Sequence, residues 1–476
     1  MSWSLQEVLT ATAGVTDADV TPARGADAGL TRATTFAAIS TDSRHVPPGA
    51  LFVALCGTQH DGHAFVAEAL RCGATAALVE HLIEGVEGVR LIRVADTLRA
   101  LGDLAAWRRR QHPVRVVAIT GSNGKTTTKE LIAAICATAE FPAPRPRFLK
   151  TEGNYNNLIG LPLTLLELQG DEAVAVLEMG MNRPGEIARL TEIARPDYAL
   201  ITNVGPAHLE GVGGTLAGVA AAKGELFSGL SPEAVIAVNL DDAWVRRLAA
   251  PFRGRKVTFG NDGDVRAGAV VDLGTDGVAF DLRIGAQVAK IRLRCIGAHN
   301  VMNALAAAAV GHAMGLPLDV IVRGLSNATP PSQRMQIIRL ANGVTVINDA
   351  YNANPSSVEA ALEALRRLPG RPVVVLGDMR ELGDESRRAH CTIGARAASL
   401  GVHQLFLLGT HAEAVAAGAR DGGMAADAIH VGASHAELAA AVVAQWQPGD
   451  CVLVKGSHGM RMEEVVRLLE GAGTSS

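Results

Sequence analysis

The sequence predicts an α/β protein of three domains: a small α/β N-terminal domain, a central P-loop domain built on a parallel sheet with an appended antiparallel meander, and a C-terminal doubly wound, Rossmann-like domain. Three observations carry this. The chain has 476 residues, more than one ordinary core serves. Short apolar runs alternate with helical stretches, the pattern of parallel sheets covered on both faces. Proline breaks at His112-Pro113 and Pro330-Pro331 divide the chain into residues 1–112, 113–329 and 330–476.

In the first block, residues 50–55 (Ala-Leu-Phe-Val-Ala-Leu) read as a strand, 63–72 as a helix and 75–79 as a second strand; a helix over 98–110 closes the block. The second opens with the buried-strand run 114–119, and similar runs follow at 173–177, 198–202 and 234–238. From Arg255 to Arg294 short alternating segments broken by Gly and Asp predict the antiparallel meander. In the third block strands are expected at 344–347, 373–376, 405–408 and 451–454. An amphipathic helix over 356–368 is expected to start from a Ser-Ser-x-Glu capping box. No G-x-G-x-x-G follows the first strand of that block, so nothing there supports dinucleotide binding. Pro142 to Pro146 reads as a short stiff loop.

Composition excludes several classes. Lys+Arg number 44 against 48 Asp+Glu, so no basic excess argues for nucleic acid. No run approaches the roughly 18 apolar residues of a membrane span, and the first residues lack the basic start and apolar run of a signal peptide. The six cysteines form no C-x-x-C pair, which fits free thiols in a reducing compartment and predicts a cytoplasmic protein. Only seven of the 44 basic residues are Lys. Where a chain writes Arg for surface cations, each Lys raises the question of whether its position needs an amine.

The strand 114–119 runs into Thr120-Gly121-Ser122-Asn123-Gly124-Lys125-Thr126-Thr127, with a helix expected from there to Thr138. Glycines let backbone N–H groups wrap a phosphate, and the helix N-terminus favours negative charge. Lys125 is placed to reach the β- and γ-phosphates, and the Thr126 hydroxyl to bind Mg²⁺. The longer form of this loop needs Gly at position 119, where this chain has Ile119; the loop is a shorter G-x-x-G-K-T variant. Glu178 and His208 follow later strand ends, where ligands collect in open α/β sheets. Taken alone, Glu178 reads equally as a surface carboxylate and His208 as a loop histidine. Lys223 lies in a small-residue helix; a solvated Lys is the ordinary reading, weakened by the scarcity of Lys in this chain.

At this point the residues resemble the Mur ligase family of ATP-dependent amide-forming enzymes. The phosphate loop, Glu178, His208, Ala222-Lys223 and the Gly297-Ala298-His299-Asn300-x-x-Asn303-Ala304 segment match the family's pattern in order. The resemblance implies catalytic roles for Lys125, Glu178, His208 and Lys223. It implies ATP contacts from Thr120 through Thr127 and from Asn303, Arg334 and Asp349, with Asp349 a ribose acceptor. It also implies Mg²⁺ held by Thr126, Glu178, His208 and a Lys223 carbamylated by CO2. Thr41-Asp42-Ser43-Arg44, residues 152–162, residues 177–186 and Asn348 to Ser356 resemble, within the family, the branch that joins D-alanyl-D-alanine to UDP-N-acetylmuramoyl-tripeptide. By that likeness the first domain binds the UDP-sugar precursor, with Ser43, Arg44, Asn156 and Asn157 as contacts. The second binds ATP, and the third closes over ATP and the incoming dipeptide, near Asn352 and Asn354. The expected product is the pentapeptide precursor of peptidoglycan, made through an acyl phosphate by a monomer. Two rivals differ by feature. A folylpolyglutamate synthase has no need of the Asp-Ser-Arg domain, and a partitioning ATPase leaves the His208/Lys223 pair unexplained.

Overall fold

The computed structural model describes residues 2–16, 30–57, 60–141 and 147–474; the expected stiff loop at Pro142 to Pro146 lies outside them. The chain divides into two compact units, one of residues 1–116, 141–179 and 189–195, the other of 117–140, 180–188 and 196–476.

The first unit is built on a five-stranded sheet. Its order is Val15–Thr16, Leu91–Arg93, Ala76–Val79, Leu51–Val53, Ile39–Ser40, parallel except for the first pair. Both faces are covered, which is why its strands read as unbroken apolar runs. Leu51, Val53, Leu78 and Ile92 pack on one side with Leu101 and Leu104 of the helix Thr97–Gln111, whereas Phe52, Ala77, Val79 and Leu91 pack on the other with Val66 and Ala69 of the helix Val66–Arg71. The same unit holds the parallel pair Arg147–Lys150 and Glu172–Glu178 and the helix Gly160–Leu166. Arg108 ties the long helix to it by donating to the Leu168 carbonyl.

In the second unit, Tyr198–Ile201 lies parallel between residues 117–120 and Val235–Asn239. Arg255–Phe259 continues the sheet in parallel. Here the expected meander is corrected: the helix Ala243–Ala249 supplies a crossover, so Arg255–Phe259 joins as a parallel strand. The antiparallel hairpins begin only with Val265–Asp272, which pairs with Val278–Ile284, and that in turn with Gln287–Leu293.

The C-terminal sheet has the order Gln336–Arg339, Thr345–Asp349, Asp450–Lys455, Arg371–Gly377, Gln404–Leu408, Ile429–Gly432, parallel except for the first pair. One face buries Val346, Val375, Phe406, Val452 and Val454 under Leu438 and Val442 of the helix His435–Gln445 and Val465 and Leu469 of the helix Glu463–Thr474. The helices Pro355–Arg367 and Ala412–Asp421 pack against the sheet outside that cluster. The expected Ser-Ser-x-Glu cap is also corrected. Asn354 is the N-cap, its side chain accepting from Ser357 N at 2.9 Å while Ser357 Oγ accepts from Asn354 N at 3.0 Å. Pro355 takes the first helical position, where its fixed φ and missing N–H cost nothing, so the helix starts before Ser356.

Candidate functional site

The strand Arg115–Thr120 delivers its last residue, buried, to the loop, and the helix Lys125–Thr138 leaves it. Gly121 (φ +146°) and Gly124 (φ +81°) have backbone that L side chains rarely adopt. A Cβ at Gly121 would lie 1.9 Å from Thr202 Oγ1, and one at Gly124 2.2 Å from Asn303 Oδ1. A side chain at either position would strain the backbone and displace Thr202 or Asn303.

The next strand end holds the loop from outside. Thr202 Oγ1 and Asn203 Nδ2 donate to the Asn123 carbonyl at 2.6 and 3.1 Å, and Asn203 Oδ1 accepts from Asn123 N at 3.0 Å. Ser122 Oγ lies 2.8 Å from both N and O of Gly205. On the other flank Thr128 Oγ1 donates to Asn303 Oδ1, and Asn303 is held in turn by Asn300. No side-chain cap closes the helix N-terminus at Gly124, the geometry in which a helix start cradles an anion, while Ser122 N and Asn123 N donate to Asn203 and fix the loop. Lys125 Nζ donates to the Gly121 carbonyl at 2.8 Å, folded over that cradle. Thr126 and Thr127 are buried in the first turn.

Residues flanking the strands of the C-terminal sheet meet this loop. Arg334 donates to Thr126 Oγ1 at 2.9 Å, and its guanidinium carbon lies 4.0 Å from the centre of the Tyr351 ring. Asn354 Nδ2 donates to Asn123 Oδ1 at 2.8 Å. Asp349 is buried, accepting from Met335 N at 3.1 Å and from Lys455 Nζ at 2.6 Å; Lys455 also donates to the Asn352 carbonyl. His208 Nδ1 lies 2.5 Å from Glu381 Oε2. Lys223, on the helix Leu216–Ser228, is 1% exposed. Burial, with the Lys125 charge adding to it, pushes its ammonium well below the ordinary lysine value.

The first unit holds the remaining expected residues. Glu178 is buried at the end of the strand Glu172–Glu178, its carboxylate accepting from Asn156 Nδ2 at 2.8 Å and its N–H donating to Thr151 Oγ1. Asn157 Oδ1 accepts from Ile159 N and Gly160 N, turning the chain into the helix Gly160–Leu166. Ser43 is buried, while the exposed Arg44 grips Asp42 through Nε and a terminal nitrogen at 2.9 and 2.8 Å and holds that carboxyl far below its usual range. The structure thus brings Lys125, Thr126, Asn303, Arg334 and Asn354 together within one unit, and places Asn156 against Glu178 within the other.

Sequence reasoning missed Lys455, Asn203 and Glu381. The scarcity of Lys was a usable signal for Lys455. Glu381 had none, because its contact with His208 spans 173 positions of chain (381 less 208).

A parallel-sheet strand that enters a glycine-cradled helix N-terminus, with Lys as the first helical residue, defines a P-loop nucleotide-phosphate-binding protein. Residues 119–311 match the Mur ligase middle domain, 333–458 the Mur ligase glutamate ligase domain, and 35–109 the catalytic domain of the Mur ligase family. The chain belongs to the Mur ligase family and has its three-domain α/β fold. It is 39% identical to the UDP-N-acetylmuramoyl-tripeptide–D-alanyl-D-alanine ligase of Escherichia coli, over 92% of this chain and 95% of that protein. Among solved structures it resembles MurF from Acinetobacter baumannii (TM-score 0.88, 35% identity, 99% of both chains). It also resembles the MurF ligase of Thermotoga maritima in complex with ADP (TM-score 0.80, 29% identity, 91% of this chain and 97% of that one).

Proposed function

We propose that this chain is the ATP-dependent ligase that joins D-alanyl-D-alanine to UDP-N-acetylmuramoyl-tripeptide, producing the pentapeptide precursor of peptidoglycan, ADP and phosphate. One observation carries the reading: a phosphate loop with Lys125, beside a buried Lys223 whose pKa is pushed well down, in a chain that covers 95% of the length of the Escherichia coli ligase at 39% identity.

The tripeptide carboxylate attacks the γ-phosphorus of ATP, and ADP leaves. The dipeptide amine then attacks the acyl carbon of the resulting acyl phosphate and loses a proton as phosphate departs. The protein's contribution is placement and neutralisation of charge. Thr120 to Thr127 cradle the phosphates, Lys125 balances charge on the transferred group, and Asn303, Arg334 and Asp349 complete the nucleotide contacts. The first unit takes the precursor through Ser43, Arg44, Asn156 and Asn157, while Asn352 and Asn354 face the dipeptide.

The Thr126 hydroxyl and the Glu178 carboxylate are the oxygen donors a hard cation prefers and the His208 imidazole is a borderline one; Mg²⁺ when bound would lower the charge on the phosphates. Lys223 fits the same centre once carbamylated. A neutral, buried amine is the form that adds to CO2, and the product is an anion beside Lys125. We assign 1–112 to precursor binding, 113–329 to ATP binding and 330–476 to closure over ATP and dipeptide; each family match falls inside one of these segments. Free cysteines throughout and the absence, among the described residues, of any helix long and apolar enough to cross a membrane support a cytoplasmic enzyme, which we take to act as a monomer.

The test is phosphate release from ATP with UDP-N-acetylmuramoyl-tripeptide, with and without D-alanyl-D-alanine. Turnover requiring both supports the reading; equal hydrolysis of ATP with neither substrate overturns it.

A further inference from the structure

We propose that Glu381 is a positioning residue for His208, so that the C-terminal sheet orients a ligand of the cation centre. The inference rests on the proposed role of His208 as such a ligand. Its geometric basis is independent of that role.

His208 Nδ1 is buried and lies 2.5 Å from Glu381 Oε2. The pair is oblique, without the alignment of a full hydrogen bond. A carboxylate oxygen and a bare imidazole nitrogen would nonetheless repel at that separation, so Nδ1 carries a proton and Nε2 is the nitrogen left to ligate. A histidine that ligates a metal needs its other nitrogen engaged in this way, because the partner settles both tautomer and ring direction. The backbone adds a second grip, Glu210 N donating to the Glu381 carbonyl at 3.4 Å. His208 (φ +57°) and Glu381 (φ +64°) are both non-glycine residues in left-handed backbone. Such conformations persist where surrounding structure enforces them and gather at functional sites.

The loop that presents Glu381 is held residue by residue. The Asp378 carbonyl accepts from Ser457 N at 3.0 Å, Met379 N donates to His390 Nε2 at 2.9 Å, and Arg380 N donates to Ser457 Oγ at 2.8 Å. The Asp378 carboxylate takes Thr410 N and His411 N. Ser457 Oγ also donates to the Ala353 carbonyl, one residue before the Asn354 that meets the phosphate loop. Glu381 therefore comes to His208 on the same framework that brings Asn354 to Asn123. Docking of that framework and orientation of His208 are one event.

The experiment measures Mn²⁺ binding to the full chain with ATP, by electron paramagnetic resonance, in the wild type, Glu381→Ala, Glu381→Gln and His208→Ala. Loss of an orienting partner typically costs 10- to 100-fold in metal affinity. Glu381→Ala is expected to weaken Mn²⁺ about tenfold or more at unchanged thermal stability. Glu381→Gln, which keeps an accepting oxygen at the same reach, is expected to recover most of that loss; in Glu381→Ala kcat should fall with little change in KM for the dipeptide. Wild-type Mn²⁺ affinity in Glu381→Ala alongside weakened binding in His208→Ala overturns the positioning role and leaves the cation reading standing. Unchanged affinity in His208→Ala overturns both. If Glu381→Ala does not fold, Glu381→Asp, one methylene shorter, takes its place with the same two outcomes.

Discussion

Lys455 Nζ lies 2.6 Å from Asp349 Oδ2, and the two residues are only 3% and 7% exposed. The ammonium also holds the Asn352 carbonyl, so one buried cation links the proposed nucleotide contact to the dipeptide side of the same loop. Removing one partner of a buried pair leaves an uncompensated charge, a loss of about 3–5 kcal/mol. Lys455→Met should lose about that much in urea unfolding. The double variant Lys455→Met/Asp349→Leu should recover part of it, because the pair couples. A single variant within about 0.5 kcal/mol of wild type would remove the pair from any account of stability.

Lys125 is half-buried and donates to the Gly121 backbone carbonyl rather than packing in the core, so its loss should spare the fold. Lys125→Ala should lower phosphate release at least about 100-fold, the scale on which a lost transition-state donor is felt. Its melting temperature should stay at the wild-type value. Lys125→Arg should not restore turnover, since a planar guanidinium does not fit a pocket shaped for a compact ammonium. Turnover near wild type in either variant would contradict the role given to the loop.

The phosphate loop was legible because strand, glycines and helix are contiguous, and each local preference agrees with the final structure. The buried strands at residues 51–53, 76–79 and 373–376 were legible for the same reason: burial on both faces leaves an unbroken apolar run. What could not be read was set by partners distant in sequence. Arg255–Phe259 has the texture of the hairpins after it, and only its crossover helix makes it parallel. The edge strands Gln336–Arg339 and Ile429–Gly432 pair on one side only and carry half-buried residues, so their apolar signal was weak. Glu381 meets His208 through tertiary packing alone, and no spacing encodes it.

Acid should loosen the loop that carries Glu381. His390 is 1% exposed, and burial holds its pKa below the usual 6.5; the neighbouring His411 pushes the same way, while the Ser386 carbonyl and Asp378 oppose. Its Nε2 accepts from Met379 N, so protonation there would set two donors against each other. Below pH 6.5 the unfolded chain binds this proton and the folded one resists it. The contribution is complete above 6.5 and is lost as pH falls toward the depressed folded value. The slope from one such group is at most about 1.4 kcal/mol per pH unit. His390→Gln should flatten the dependence of urea stability on pH between 7 and 5; an unchanged slope would exclude His390 as its source.

The thiols should divide by burial. Cys136 and Cys451 are buried and pushed up to about 12, and Cys295 to about 11, whereas Cys56 and Cys72 are exposed. Thiolate is the reactive form, so the buried three should be silent toward a disulfide reagent until the chain unfolds. Mass spectrometry of the native protein should find label on Cys72 and Cys56 first. Early label on Cys136 would show that the helix Lys125–Thr138 opens under native conditions.

Lys223 is where a chemical modification should be visible directly. Its amine is enclosed, and its pKa is pushed down first by burial and then by Lys125. A carbamate there would place an anion near Lys125 and add two oxygen donors. In bicarbonate labelled with carbon-13, the wild type should show a carbamate resonance that is missing in Lys223→Ala. Lys223→Ala should be inactive, and short carboxylic acids should restore part of its activity by occupying the emptied volume with an anion. Lys223→Arg should be inactive and beyond rescue, because the guanidinium fills the space, stays charged and does not take up CO2. A fully active Lys223→Arg would show that the position needs only a cation, and the carbamate would then have no part in the reaction.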